Sequence, residues 1–303
     1  MSDIASVVFS AGYGRRFLPF SRFLPKPLFP FFNIPILERI ISSVRSAGIC
    51  DIFINTHHLG EMVSSFVSCN LARKFKDVSF HLFAEEELLD TGGTLHSLYS
   101  YLPETVLIHN CDTVSFFPLE RLVDYHKKEG SLVTLLCVDD PKRNTLSVLP
   151  DGRIDRIVEP SGGAFCLTYA GIAVVSREVI RYIPEGKHPW VSFFAHLPRD
   201  RRSNVLCLQT ESLWYEIGDI NSYFSGHKDA IISGRGKQFG CREGLCLADN
   251  SLSGCFLSGF VVAGKNIAVS GSPSIRDAVI WSDSVISGDK ENMIIAPFGE
   301  VKI

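Results

Sequence analysis

Near the start of the chain, Ala11-Gly12-Tyr13-Gly14-Arg15-Arg16-Phe17-Leu18-Pro19 is followed by Pro25-Lys26-Pro27. Gly12 and Gly14 let the backbone turn tightly and bring its N–H groups up to an anion. Arg15, Arg16, Arg22 and Lys26 add positive charge around that turn, against one acid, Asp3. This is chemistry suited to holding a polyphosphate. A dinucleotide-binding turn wants a third glycine near Phe17 and an acid ending the next strand, and Phe17 and Asn55-Thr56-His57-His58 supply neither. A Walker A loop wants Gly-Lys-Ser/Thr opening a helix, which is also missing. An ordinary glycine turn with solvated arginines stays open at this level.

Two further clusters carry chemistry. His109-Asn110-Cys111-Asp112 ends an expected strand at 105–110, where an aspartate can either meet a metal held by phosphates or close a turn. Asp90-Thr91-Gly92-Gly93 precedes a helical stripe of Leu95, Leu98 and Tyr99. There Asp90 or Thr91 can cap the helix while the glycines turn the chain, or the glycines can let backbone groups approach a planar base.

Taken together these motifs resemble the sugar-1-phosphate nucleotidyltransferases (NDP-sugar pyrophosphorylases). That family opens with G-x-G-x-R, a proline three residues on and a later P-K-P, matched here by Gly12, Gly14, Arg16, Pro19, Pro25, Lys26 and Pro27. The resemblance implies nucleotide binding by Ala11, Gly12, Gly14, Arg15, Arg16, Thr91, Gly92 and Gly93, with Arg16, Lys26 and Asp112 as catalytic residues. It implies a Mg²⁺ cofactor on Asp112 and Glu216, the latter from Trp214-Tyr215-Glu216-Ile217-Gly218-Asp219, and sugar-phosphate contacts from Asn110, Glu159 and Gly171. Four positions depart from the family pattern. Cys111 replaces a glycine, Glu216 an aspartate and Asp219 a threonine, and the lysine usual after Glu159 is absent. Asp219 can instead cap a helix over 220–232. Asn55 and His57-His58 are similar to an N-x-H-H segment of some relatives and read as supporting residues.

The implied reaction is NTP plus sugar 1-phosphate giving NDP-sugar plus pyrophosphate. The T-G-G form at 91–93 is similar to that of the muramate, mannose and heptose enzymes. It leaves GTP or UTP open, with a lean to a mannose-1-phosphate guanylyltransferase type. A catalytically weakened nucleotide-sugar-binding regulatory subunit is the alternative from another class, and a dinucleotide oxidoreductase a distant third.

The elements that must position these residues alternate. Strands are expected at 5–10, 51–55, 78–83, 105–110 and 132–138, separated by helical stripes at Leu37, Ile40, Ile41, Val44 and at Met62, Val63, Phe66, Val67. Gly48 is placed to stop the first helix. The expected class is α/β, a Rossmann-like, mostly parallel mixed sheet with helices on both faces. In such sheets ligands bind beyond the carboxyl ends of strands, where the opening loop falls.

After residue 234 helical periodicity ends. Cys255, Val261, Ile267, Val279 and Val285 recur every six residues with Pro273 in the missing slot, the signature of a small left-handed parallel β-helix, with a small antiparallel β-domain as the alternative. The expected domains are 1–234 and 235–303, with homo-oligomers forming through the β-helix. The net charge of -3 gives no push toward nucleic acid or membrane, and no apolar run reaches membrane-span length. Nine scattered cysteines without a C-x-x-C pair point to reduced thiols in a cytoplasmic protein.

Overall fold

The computed structural model describes residues 3–158 and 166–303. The chain divides into two compact units. One holds residues up to Tyr13 with Glu38–Tyr215, the other Gly14–Leu37 with Glu216–Ile303.

The first unit is built on a nine-stranded sheet. Ile4–Phe9 lies at its centre, parallel to Asp51–Thr56 on one side and to Thr105–Asn110 on the other, and Ser79–Ala84 extends the parallel run. Val133–Val138 is buried at every position. Such continuous burial needs apolar residues on both faces of a strand, which is why these segments read as apolar runs and not as alternation. Four further strands complete the sheet. Cys166–Ser176 runs antiparallel to Thr105–Asn110 and Val133–Val138, Leu146–Val148 and Ile154–Ile157 extend it, and Val205–Gln209 pairs in parallel with Val133–Val138. The fold is therefore mixed α/β with a parallel centre. Ala5, Val7, Val106, Ile108, Leu95 and Leu98 share one core cluster.

Helix Ile36–Ser46 ends as expected, with Gly48 in a left-handed conformation and its N–H bonded to the Arg45 carbonyl. Helix Gly60–Phe66 buries Val63, but Met62 faces solvent and is not part of the core stripe. Asp90 does not cap Asp90–Leu98. It sits at positive φ and its carboxylate accepts the Thr91 N–H, one residue on. No disulfide joins any of the cysteines.

In the second unit, Phe256–Ala263, Ser274–Ile280 and Lys290–Ala296 stack in parallel, as do Ala268–Ser270 and Val285–Ser287. Val261, Ala278 and Met293 form one inner ladder, and Ala263, Ile280 and Ile295 another. The six-residue register needs correction. A bulge between Ser258 and Val261 changes the step from 18 residues to 17, and the next step is 15. Val285, one of the six-residue positions, is 66% exposed, and Ile286 beside it is buried. Gly299–Lys302 returns antiparallel along Lys290–Ala296.

Helix Ile220–Ile232 belongs to this unit and packs on the coils. Phe224 meets Phe260 edge-on at 5.0 Å, and the Trp281 indole donates to the Tyr223 hydroxyl. The same helix anchors the hairpin Pro30–Phe31/Ile34–Pro35, because His227 Nε2 accepts the Phe32 N–H while its Nδ1 donates to the Tyr223 carbonyl.

Candidate active site

In the first unit, the candidate residues cluster at the carboxyl ends of the parallel strands. Ala11 is buried, whereas Gly12 is exposed with nothing within 4 Å of where a Cβ would stand. Its lack of a side chain is not demanded by packing, which leaves its backbone face open to a ligand.

Asn110 and Cys111 close the strand Thr105–Asn110, with the Cys111 N–H directed at the Phe9 carbonyl, and Asp112 follows half-buried. Gly171 sits at φ +79 in the irregular stretch of Cys166–Ser176, and a Cβ there would come 3.0 Å from Thr113 Cγ2 and 3.4 Å from the Asn110 Cβ. Backbone conformation and the approach of Thr113 thus account for this glycine. Asn110 Oδ1, Thr113 Oγ1 and the Tyr169 hydroxyl are buried without a hydrogen bond of standard geometry. Burial holds the Tyr169 phenol well above its ordinary range, with the Trp190 indole as neighbour and the Asp112 charge contributing. Polar atoms left like this mark a place where a polar ligand restores what folding omitted. Thr113 was missed from the sequence, where nothing about its type stands out. The Trp214 indole donates to the Ala170 carbonyl at 2.9 Å, so the tryptophan of the downstream motif steadies the strand beside Gly171. His109, fully buried and bonded to the Asn110 carbonyl, is held neutral by burial, its pKa pushed down to about 4.

Thr91 and Gly92 are tied to the segment 188–190. The Thr91 hydroxyl accepts the Trp190 N–H at 2.9 Å, and the Gly92 N–H donates to the His188 carbonyl at 2.7 Å. A Cβ on Gly92 would come 2.6 Å from that carbonyl, and one on Gly93 would come 2.8 Å from the Gly186 carbonyl. The side of each glycine where a Cβ would stand is thus taken by residues 186–188, which accounts for the missing side chains. Glu159 lies outside the described residues.

In the second unit, Gly14 takes the left-handed conformation its type favours and starts the turn Arg15–Phe17. Phe17 is buried against Phe29 and Tyr223, and the Lys26 ammonium stands 5.3 Å over its ring. Arg15 and Arg16 are exposed. Glu216 folds toward Gly218: a Cβ on Gly218 would lie 2.9 Å from Glu216 Oε1 and 3.5 Å from Arg16 Nη1. Gly218 is a second residue the sequence reading passed over, although its place in the motif was visible. Asp219 caps Ile220–Ile232 in a capping box with Ser222. Burial alone raises its carboxyl, but the bonds from Ser222 and the Arg16 charge outweigh this and hold it below the usual carboxylate range. Capping accounts for a polar side chain at this position.

Among the described residues, no three His, Cys, Asp or Glu side chains converge on one point. A cation held by so few carboxylates would have to take its remaining oxygens from water and substrate, which Mg²⁺ accepts.

With the strand order, the open glycine loop and these carboxylates in place, the chain belongs to the nucleotidyl transferase family, whose sequence model matches residues 5–231. One relative, the mannose-1-phosphate guanylyltransferase of Mycobacterium tuberculosis, is 25% identical over 300 residues, covering 92% of this chain and 80% of that protein. The mannose-1-phosphate guanyltransferase of Saccharomyces cerevisiae is 25% identical over 229 residues, covering 73% of this chain and 63% of that protein, so the match spans less than two thirds of its length. The crystal structure of HddC from Yersinia pseudotuberculosis shares the fold at a TM-score of 0.62 and 19% identity, covering 73% of this chain and 97% of that one. No helix among the described residues is long and apolar enough to cross a membrane.

Proposed function

We propose that the protein transfers a nucleotidyl group from an NTP to a sugar 1-phosphate, releasing pyrophosphate, with GTP and mannose 1-phosphate as the preferred pair. The family match over 5–231 carries this reading, and the relatives named as mannose-1-phosphate guanylyltransferases support the choice of pair. The sugar phosphate is already an anion, so its oxygen attacks the α-phosphorus in line without a general base. The protein's task is to position two polyanions and neutralise charge as it develops. In this reading the backbone of Gly12 and Gly14, with Arg15 and Arg16, holds the departing phosphates, and Lys26 neutralises the attacking or α-phosphate. Asn110 and Gly171, with Glu159, border the sugar phosphate. Asp112 and Glu216 are the carboxylates offered to Mg²⁺, which when bound withdraws charge from the α-phosphate.

The stacked strands of 235–303 are, in the same reading, a left-handed β-helix through which copies of a cytoplasmic protein associate. Purified protein with Mg²⁺, each NTP and a panel of sugar 1-phosphates tests the activity. Pyrophosphate release is expected with GTP and mannose 1-phosphate, and no release with any pair overturns the reading. Tight NDP-sugar binding without turnover would favour the regulatory subunit.

A further inference from the structure

Glu85 follows the strand Ser79–Ala84, and the residue is only 6% exposed. Oε1 accepts from the Asn55 side-chain amide at 2.7 Å and from the Thr94 hydroxyl at 2.5 Å, and Oε2 accepts the Leu89 N–H at 3.0 Å. A buried carboxylate is tolerated only when donors surround it in this way. Asn55 uses its other end on the opening loop. Its Oδ1 accepts the Ser10 N–H at 2.7 Å, and its carbonyl accepts the Ser10 hydroxyl. The Glu85 carbonyl accepts from His57 Nδ1, which fixes the tautomer so that Nε2 accepts from the Tyr13 hydroxyl at 3.0 Å. Ser10 and Tyr13 flank Ala11-Gly12, and Leu89 and Thr94 flank Asp90-Thr91-Gly92-Gly93.

We propose that Glu85, acting through Asn55, is a positioning residue that locks the glycine loop and the Thr91–Gly93 turn into one rigid nucleotide platform. The proposal rests on the nucleotidyl transfer reading. Two separate loops would each lose freedom when a nucleotide spans them, and a buried carboxylate clamp removes that loss before binding. The clamp touches no reacting atom, so its removal weakens nucleotide binding and leaves the chemical step alone.

Whichever way its amide is turned, Glu85→Gln sets an N–H donor against another donor, either the Asn55 amide or the Leu89 N–H, and Asn55→Asp places two carboxylates together. The two changes combined restore one donor facing one acceptor, which makes the exchanged pair the conservative rescue. With Glu85→Gln, amide hydrogen exchange at residues 10–13 and 89–94 is expected to accelerate at least tenfold. The KM for the NTP should rise about tenfold, with kcat and the KM for the sugar phosphate within twofold of wild type, and the exchanged pair should recover most of both effects. Unchanged exchange at these amides overturns the proposal. So does an unchanged KM for the NTP, or a loss confined to kcat. A wild-type protein that turns over no nucleotide overturns the transfer reading instead, and the exchange measurement still decides the clamp.

Discussion

Glu216 Oε1 occupies the space beside Gly218, 2.9 Å from where a side chain at that glycine would begin, and Arg16 Nη1 borders the same space at 3.5 Å. A methyl group at residue 218 must push the carboxylate aside. Gly218 has no positive φ, so the backbone itself tolerates alanine. Gly218→Ala is therefore expected to lower kcat roughly tenfold or more, an amount typical for misplacing a group by about 1 Å, while shifting the melting temperature little. Steady-state pyrophosphate release beside thermal melting checks this. Full kcat would show that the position of Glu216 does not matter.

Lys26→Ala and Asp112→Ala remove groups assigned to phosphate charge. Each is expected to reduce kcat by about 10²–10³, the usual effect of deleting one electrostatic stabiliser, with the circular dichroism spectrum unchanged. Wild-type pyrophosphate release in either variant removes that residue from the mechanism.

Gly171→Ala meets two obstacles, a φ of +79 and Thr113 at 3.0 Å. A loss of about 1–3 kcal/mol in urea unfolding is expected from strain of this kind. Because Thr113 and Asn110 are the neighbours displaced, the KM for the sugar phosphate should rise as well. Unaltered unfolding would show that the strand relaxes freely here.

His109 and His126 each have a pKa pushed down to about 4, by burial in both cases. In the unfolded chain they titrate near 6.5, so the unfolded state binds more protons between those values. Their share of stability is complete above pH 6.5 and is lost as pH falls toward 4. For fully buried His109 the loss is roughly 3 kcal/mol, and for the less buried His126 it is smaller. Urea midpoints measured from pH 7.5 to 4.5 should fall accordingly, and His109→Gln should flatten the slope. An identical slope in that variant would assign the acid sensitivity to other groups.

Much of the parallel centre was legible because strands buried on both faces leave uninterrupted apolar runs. Thr105–Asn110 matches the expected span, and Ile4–Phe9 and Asp51–Thr56 differ from it by one residue at their ends. Cys166–Ser176 was not seen as the long antiparallel member, since Gly171 interrupts its pattern with a left-handed residue. The phase of the coils was misjudged because the repeat is not constant: the step is 18 residues before the bulge near Gly259, 17 after it and 15 in the next turn, so a fixed six-residue count falls out of register, with Val285 exposed and Ile286 buried. The motif glycines were visible as glycines, but the reason for each was not. Gly92 and Gly93 make room for 186–188, a segment nearly a hundred residues away, and no local pattern records such a contact. The Glu85–Asn55 bond was invisible on the same grounds.

The reversal at Gly299–Lys302 bears on how copies of this chain can assemble. Parallel coils grow by adding a strand of the same direction to an open edge, and the edge of Lys290–Ala296 is already taken by a strand running the other way. That pairing acts as a stopper against filaments, since another molecule's coil finds no same-sense partner there. A further coil therefore cannot continue the parallel run past Lys290–Ala296, and any association at that end of the sheet must use another kind of contact.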